Sequence, residues 1–211
     1  MTNSELSDLE ALLRRGAAVD VDDAAATATV STVVAADRAG LIDVAVSTVD
    51  SPVGDLFVAA TPQGLVRLAF DPARMLDELA ERISPRVVEA PARLDPVRRE
   101  LDEYFAGQRR AFDIVVDWTL TTGFRRRVLE ATARIPAGHV TTYGALAKQV
   151  GQPTAARAVG NAVGSNPVAI VVPCHRVLPA SGGVGNYGGG PDRKEFLLEL
   201  EHADTSVTEH R

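Results

Sequence analysis

The chain has 211 residues, 45% hydrophobic and 24% charged, which suits a globular protein of one or two domains and excludes a disordered or collagenous one. No apolar run approaches the roughly 18 residues of a membrane span; the acidic opening MTNSELSDLE is no secretory signal; and the single cysteine, Cys174, excludes an intramolecular disulfide or a cysteine-rich zinc site. The net charge of −6 is unevenly spread: residues 1–118 hold 12 Lys+Arg against 21 Asp+Glu, while 119–203 hold 9 against 5, so the second half has the basic balance that phosphate binding requires.

Leu6, Leu9, Leu12 and Leu13 have helical spacing and predict a short amphipathic helix at 4–15. VDVDDAAATATV (19–30) reads as a linker or weakly ordered segment. From Asp43 three β-rich runs follow, 43–49, 55–60 and 65–70, separated by Ser51-Pro52 with Gly54 and by Pro62 with Gly64, the pattern of an antiparallel meander. Met75, Leu76, Leu79 and Ile83 then mark an amphipathic helix, and a second helix begins with Asp95 as cap and Pro96 in first position and stops at Gly107. AFDIVVDW (111–118) alternates as a further strand.

The second half is helical. Phe124, Val128, Leu129 and Ile135 lie along one helix, which Pro136-Ala137-Gly138 ends. TTYGALAKQVG begins with threonine caps and stops at Gly151; AARAVGNAVGSN follows, with Thr154 as its cap. These two short helices, 142–150 and 155–165, have helix-turn-helix proportions. The second is rich in small residues (Ala155, Ala156, Ala158, Gly160, Ala162 and Gly164), with Arg157 in its first turn. Such a helix suits close approach to a narrow minor groove and is poorly equipped to read major-groove base edges. PVAIVVP is a buried apolar run leading to Cys174, SGGVGNYGGG is a Gly-rich loop, and DRKEFLLELE is a final helix.

A lone cysteine is most often a buried, inert side chain. His175 beside Cys174 raises the odds of a nucleophile, because an imidazole can take the thiol proton. Side chains of adjacent residues diverge, so the proton is expected to pass through a water. The last helix offers Glu195, Glu199 and Glu201 to orient the imidazole.

RIPAGHVTTYGALA, AARAVGNAVGSNP, IVVPCHRV and GVGNYGGG…RKEFLLELE together resemble the O6-alkylguanine-DNA alkyltransferases over about residues 42–203. The resemblance implies an α+β fold: a small antiparallel-sheet domain of the ribonuclease H-like kind at 42–118, then a helical domain at 119–203 with a winged helix-turn-helix-like motif, between an extension (1–41) and a tail (204–211). It also implies direct-reversal repair. A base carrying an O6-alkyl group is flipped out of double-stranded DNA bound by its minor groove, and Cys174 takes the alkyl group in a single turnover; O4-alkylthymine is a second expected substrate. His175 would deprotonate the thiol through water, Glu201 hold the imidazole, Tyr143 donate to guanine N3 and turn the phosphate, and Asn166 order the turn before the cysteine. Arg157 would fill the gap left by the base, with Thr142, Ala155, Ala156 and Gly160 against the DNA. Val177, Val184, Gly185, Asn186, Tyr187, Gly188 and Gly189 would form the pocket. The carbonyls of Cys174 and Val177 would take the exocyclic amine, and the Gly188 amide would face O6. Some relatives carry Ser at Gly188 and Pro at Ala169, and their zinc ligands have no counterpart in residues 1–40. No cofactor or metal is expected, the location expected is the cytoplasm, at the nucleoid, and the chain is expected to be a monomer that can act cooperatively on DNA. The alternative is a protein that binds alkylated DNA without repairing it; the acceptor cysteine counts against it.

Overall fold

The computed structural model describes residues 21–72 and 75–205, and side chains from residue 28 onward. The helix expected at 4–15 lies outside the described residues. The first compact unit ends at Leu41. Its described part is helix α1 (Val21–Arg38), which corrects the expected linker at 19–30. The stretch has no apolar stripe to signal a helix, but alanine has the highest intrinsic helix propensity and the segment is rich in it. Amide bonds from Gly40 to Asp37 and Leu41 to Ala36 close its C-terminus.

The second unit starts from strands β1 (Val44–Val49), β2 (Leu56–Thr61) and β3 (Gly64–Ala69), an antiparallel meander as expected. A short strand, β4 (Val87–Glu89), adds to β1 in parallel, giving the order β3-β2-β1-β4. Alternation along the central β2 feeds two cores. Phe57 and Ala59 join Val44, Val46 and Leu79 of helix α2 (Met75–Arg82) on one face. Leu56, Val58 and Ala60 join Leu94, Val97 and Leu101 of helix α3 on the other. Helix α3 spans Pro91–Phe105, so it begins a turn earlier than expected. Pro91 occupies the N-terminal turn, Asp95 is no cap, and Pro96 sits inside the helix.

The 111–118 segment is extended but forms no ladder strand. Among the described residues Leu65 alone pairs with it, donating to Val115 O (2.8 Å) and accepting from Asp117 N (2.9 Å). Asp117 then binds Thr61 and Thr119, which turns the chain away. The alternation still holds, with Phe112, Ile114, Val116 and Trp118 packed on the core.

Helix α4 (Gly123–Thr132), strand β5 (Thr141–Thr142), helix α5 (Tyr143–Gln149) and helix α6 (Ala156–Gly164) form the helical half. Thr142 caps α5 by accepting from Ala145 N at 3.0 Å. The cap of α6 is Ala155, not Thr154, and it makes no side-chain bond. A 3-10 turn (Cys174–Arg176) leads into β6 (Val177–Leu178), which pairs in parallel with β5; helix α7 (Pro191–Leu200) follows. Leu129, Val168, Ile170 and Leu197 join the α3-side core, so one apolar core spans both halves of this unit.

Candidate active site

The loop before the cysteine is held by Asn166. Its amide nitrogen donates to Val172 O (2.8 Å) and Val168 O (3.3 Å), and its oxygen accepts from Val168 N (3.0 Å). The sheet holds the same loop: Leu68 N donates to Pro167 O and Ala169 N to Leu68 O, each at 2.9 Å. Between these ties Ile170 adopts φ 67°. This geometry is rare for a β-branched residue and costs about 1–3 kcal/mol. Full burial of Ile170 and the Asn166 bonds keep it in place.

Cys174 and His175 share the turn that follows, and both are buried. His175 Nε2 lies 3.0 Å from Glu201 Oε1, while Nδ1 is buried with no hydrogen-bond partner among the described residues. Glu201 caps the C-terminus of α7 and also accepts from Arg176 Nε (2.8 Å), Arg176 Nη2 (2.7 Å) and Tyr104 Oη (2.7 Å). Arg176 is fixed further by a bond to the Ile135 carbonyl. Burial opposes the Glu201 charge, but the bonds from His175 and Arg176 prevail and hold its carboxyl at about 2. Burial draws His175 below its usual value against the pull of Glu201, so the imidazole rests neutral. Burial pushes the Cys174 thiol up; Asn166, Tyr187 and Lys194 oppose it.

Lys194 of α7 is fully buried and donates to Val177 O at 2.8 Å. Burial brings its ammonium down to about 8.

The thiol faces a cavity of about 460 Å³. Tyr143, Asn166, Ala169, Asn186, Tyr187, Gly188 and Gly189 line it with Cys174, as does Gly160 of α6. The Tyr187 ring meets Phe70 edge-on, with centroids 5.7 Å apart. A Cβ on Gly189 would come within 2.7 Å of the Phe70 ring, so any larger residue here would have to displace that ring. Burial raises the Tyr143 phenol above its ordinary value, with the nearby Cys174 adding to it, so Tyr143 keeps its proton. Arg157 stands exposed in the first turn of α6, one turn before Gly160 and on the same face.

Some expected pocket residues lie outside this wall. Val177 packs behind Cys174 in the helical core, with its carbonyl on Lys194. Val184 and Gly185 lie along the loop away from the cavity, Gly185 (φ 66°) against the Pro179 ring. Glu195 and Glu199 are exposed, so of the three glutamates on the last segment only Glu201 turns inward.

Sequence reasoning passed over Arg67 and Phe70 on the cavity wall, and Tyr104, Arg176 and Lys194 behind it. One signal was present: Leu94, Val97, Leu101 and Tyr104 continue a single helical stripe, and Tyr104 is the only member of it with a hydroxyl to satisfy.

Fold and site define a cysteine nucleophile housed in a helix-turn-helix half and tied to a small sheet domain. Residues 44–118 match the family model described as 6-O-methylguanine DNA methyltransferase, ribonuclease-like domain, and residues 123–203 match that of the DNA binding domain of the same enzymes. The chain belongs to this 6-O-methylguanine DNA methyltransferase family. It is 46% identical over 163 residues to a methylated-DNA–protein-cysteine methyltransferase of Mycolicibacterium paratuberculosis, covering 76% of this chain and 95% of that one. It is 40% identical over 152 residues to a protein of the same name from Methanosarcina acetivorans, covering 72% and 94%. Among solved structures it is similar to Mycobacterium tuberculosis OGT in complex with DNA, at TM-score 0.65 and 41% identity over 75% of this chain and 92% of that one.

Proposed function

We propose that this protein reverses O6-alkylguanine damage in duplex DNA by moving the alkyl group, once per molecule, onto Cys174. The observation that carries this reading is the placement of the thiol. Cys174 is 7% exposed at the wall of a cavity of about 460 Å³. A base inside the stack cannot reach it, whereas an extruded base can.

In the proposed reaction, the Cys174 sulfur attacks the alkyl carbon, the S–C bond forms and the C–O6 bond breaks, and the electron pair leaves with guanine. The thiol proton passes through water to His175 Nδ1, the buried ring nitrogen with no hydrogen-bond partner among the described residues. Glu201 fixes the imidazole by holding Nε2. Tyr143, which keeps its proton, donates to guanine N3 as charge develops there. Asn166 sets the turn that presents the sulfur. The Gly188 amide faces O6, and the same cavity takes the smaller O4-alkylthymine. The product is a thioether, which water does not cleave, and the chain has no second cysteine to regenerate the thiol.

DNA binding belongs to residues 119–203 and the sheet-bearing support to residues 42–118, with 1–41 an extension and 204–211 a tail. The Ala/Gly face of α6 enters the minor groove and Arg157 takes the place of the flipped base. The chain works as a monomer on the nucleoid in the cytoplasm, with cooperative binding on DNA. No described helix is long and apolar enough to cross a membrane.

The test is intact mass after incubation with duplex DNA containing O6-methylguanine. One methylene should be gained per protein molecule, and Cys174→Ser should gain none. Binding without a mass change, or release of free methyl product over many turnovers, would falsify the proposal.

A further inference from the structure

Glu201 Oε1 receives three donors: Tyr104 Oη at 2.7 Å, Arg176 Nη2 at 2.7 Å and His175 Nε2 at 3.0 Å. Two of them come from the turn that carries the cysteine. The third comes from α3, 97 residues earlier in the chain, in the sheet-bearing half. Tyr104 is 2% exposed, and its ring is wedged by Phe105 (centroids 5.3 Å apart) and Phe112 (5.2 Å). It cannot swing off the carboxylate without opening the core.

We infer that Tyr104 is a positioning residue for alkyl transfer, whose hydroxyl anchors the Glu201 carboxylate and draws part of its charge away from His175, leaving the imidazole neutral and ready to accept the thiol proton. This rests on the proton relay proposed above. A carboxylate oxygen shared among several donors offers less charge to each. The groups that face the His175–Glu201 pair are Tyr104 from α3, Arg176 from the 3-10 turn, Lys194 from α7 and the protonated Tyr187 of the loop before α7, with Cys174 next to the imidazole in the chain. Arg176 and Lys194 both disfavour a charged imidazole and Glu201 favours one; by sharing the same carboxylate oxygen, the Tyr104 hydroxyl weakens that pull. Burial raises the Tyr104 phenol far above its ordinary value, so it remains a donor at every working pH.

Removing the hydroxyl leaves Glu201 ionised but gives more of its charge to His175, which then protonates at higher pH. Single-turnover methyl transfer from duplex DNA containing O6-methylguanine, followed by intact mass from about pH 5 to about pH 9, reads this directly. The protein is compared with Tyr104→Phe, Phe112→Leu and His175→Gln. In Tyr104→Phe the acid limb of the rate should move up by about half a pH unit with the plateau kept. In Phe112→Leu, which loosens the same ring packing but keeps the bond, Tm should fall while the limb stays. An unmoved limb in Tyr104→Phe, or a uniform rate loss at every pH, overturns the inference and leaves the relay standing. An acid limb that persists in His175→Gln overturns the relay itself.

Discussion

At Cys174 two tendencies oppose each other. Burial raises the thiol and would keep it inert, while Lys194 supplies a positive charge that favours the thiolate. Lys194 can do so because burial lowers its own value only to about 8, which leaves it charged through neutral pH. Lys194→Met keeps the length and the apolar stem and removes the charge. The pH for half-maximal modification of Cys174 by iodoacetamide should rise by about one unit, and methyl transfer near neutrality should fall about tenfold. The Val177 carbonyl also loses its donor, a loss of about 1–3 kcal/mol in stability. A lower Tm with an unmoved thiol titration would make Lys194 purely structural. In the proposed reaction the resting thiol and imidazole are both neutral, and ionisation waits for a flipped nucleobase to fill the cavity.

At the scale of elements, α6 divides its labour along its length. Its first turn carries Arg157 into solvent, its middle presents Gly160 to the cavity, and Val159, Ala162 and Val163 face the core. Gly160 leaves ordinary van der Waals room beneath the Tyr143 ring, a Cβ falling 3.9 Å from it, so an alanine would fit there. Arg157 lies outside both core and cavity, which fits a role in duplex DNA alone. Arg157→Ala should slow repair in duplex DNA by about tenfold or more while changing reaction with free O6-alkylguanine base by less than about twofold. Equal losses in the two assays would remove the base-gap role. The elements most legible in the sequence were those with a strong period and clear punctuation: the meander, α2, α5 and α6. Helix α1 carries no apolar stripe and was hidden in composition. The start of α3 was misplaced because Asp95-Pro96 imitates a cap and first turn, while the helix is in fact capped at Ala90 and opened by Pro91. The 111–118 segment has the alternation of a strand, but pairing depends on a neighbour, and among the described residues only Leu65 provides one.

On the scale of the whole unit, the site is where the two halves meet, and this explains what the sequence left out. Cys174, His175, Tyr143 and Asn166 lie in motifs with a recognisable order, and Glu201 follows from the same pattern. Tyr104 and Arg67 belong to the other half, and no local spacing ties them to the cysteine. Lys194 looks like any basic residue of a helix until it is found with no exposure. The same junction stores stability. The Glu201 carboxyl is held at about 2 in the folded protein against an ordinary 4.5, so the unfolded chain binds more protons between these values. Its contribution is therefore complete above about pH 4.5 and is lost as pH falls toward about 2, a change of roughly 3 kcal/mol. Asp43, bonded by Arg86, and Asp117, where bonds from Thr119 and Thr61 overcome burial, also have lowered carboxyls, so the stability each adds is lost as pH falls. The Glu201 share is isolated by comparing the protein with Glu201→Gln in urea unfolding at a series of acid pH values. The variant should be less stable near neutrality, since Arg176 loses its buried partner, and the gap should narrow steadily as pH falls. A gap that stays constant from about pH 6 to about pH 3 would mean that Glu201 is not the charge that locks the two halves together.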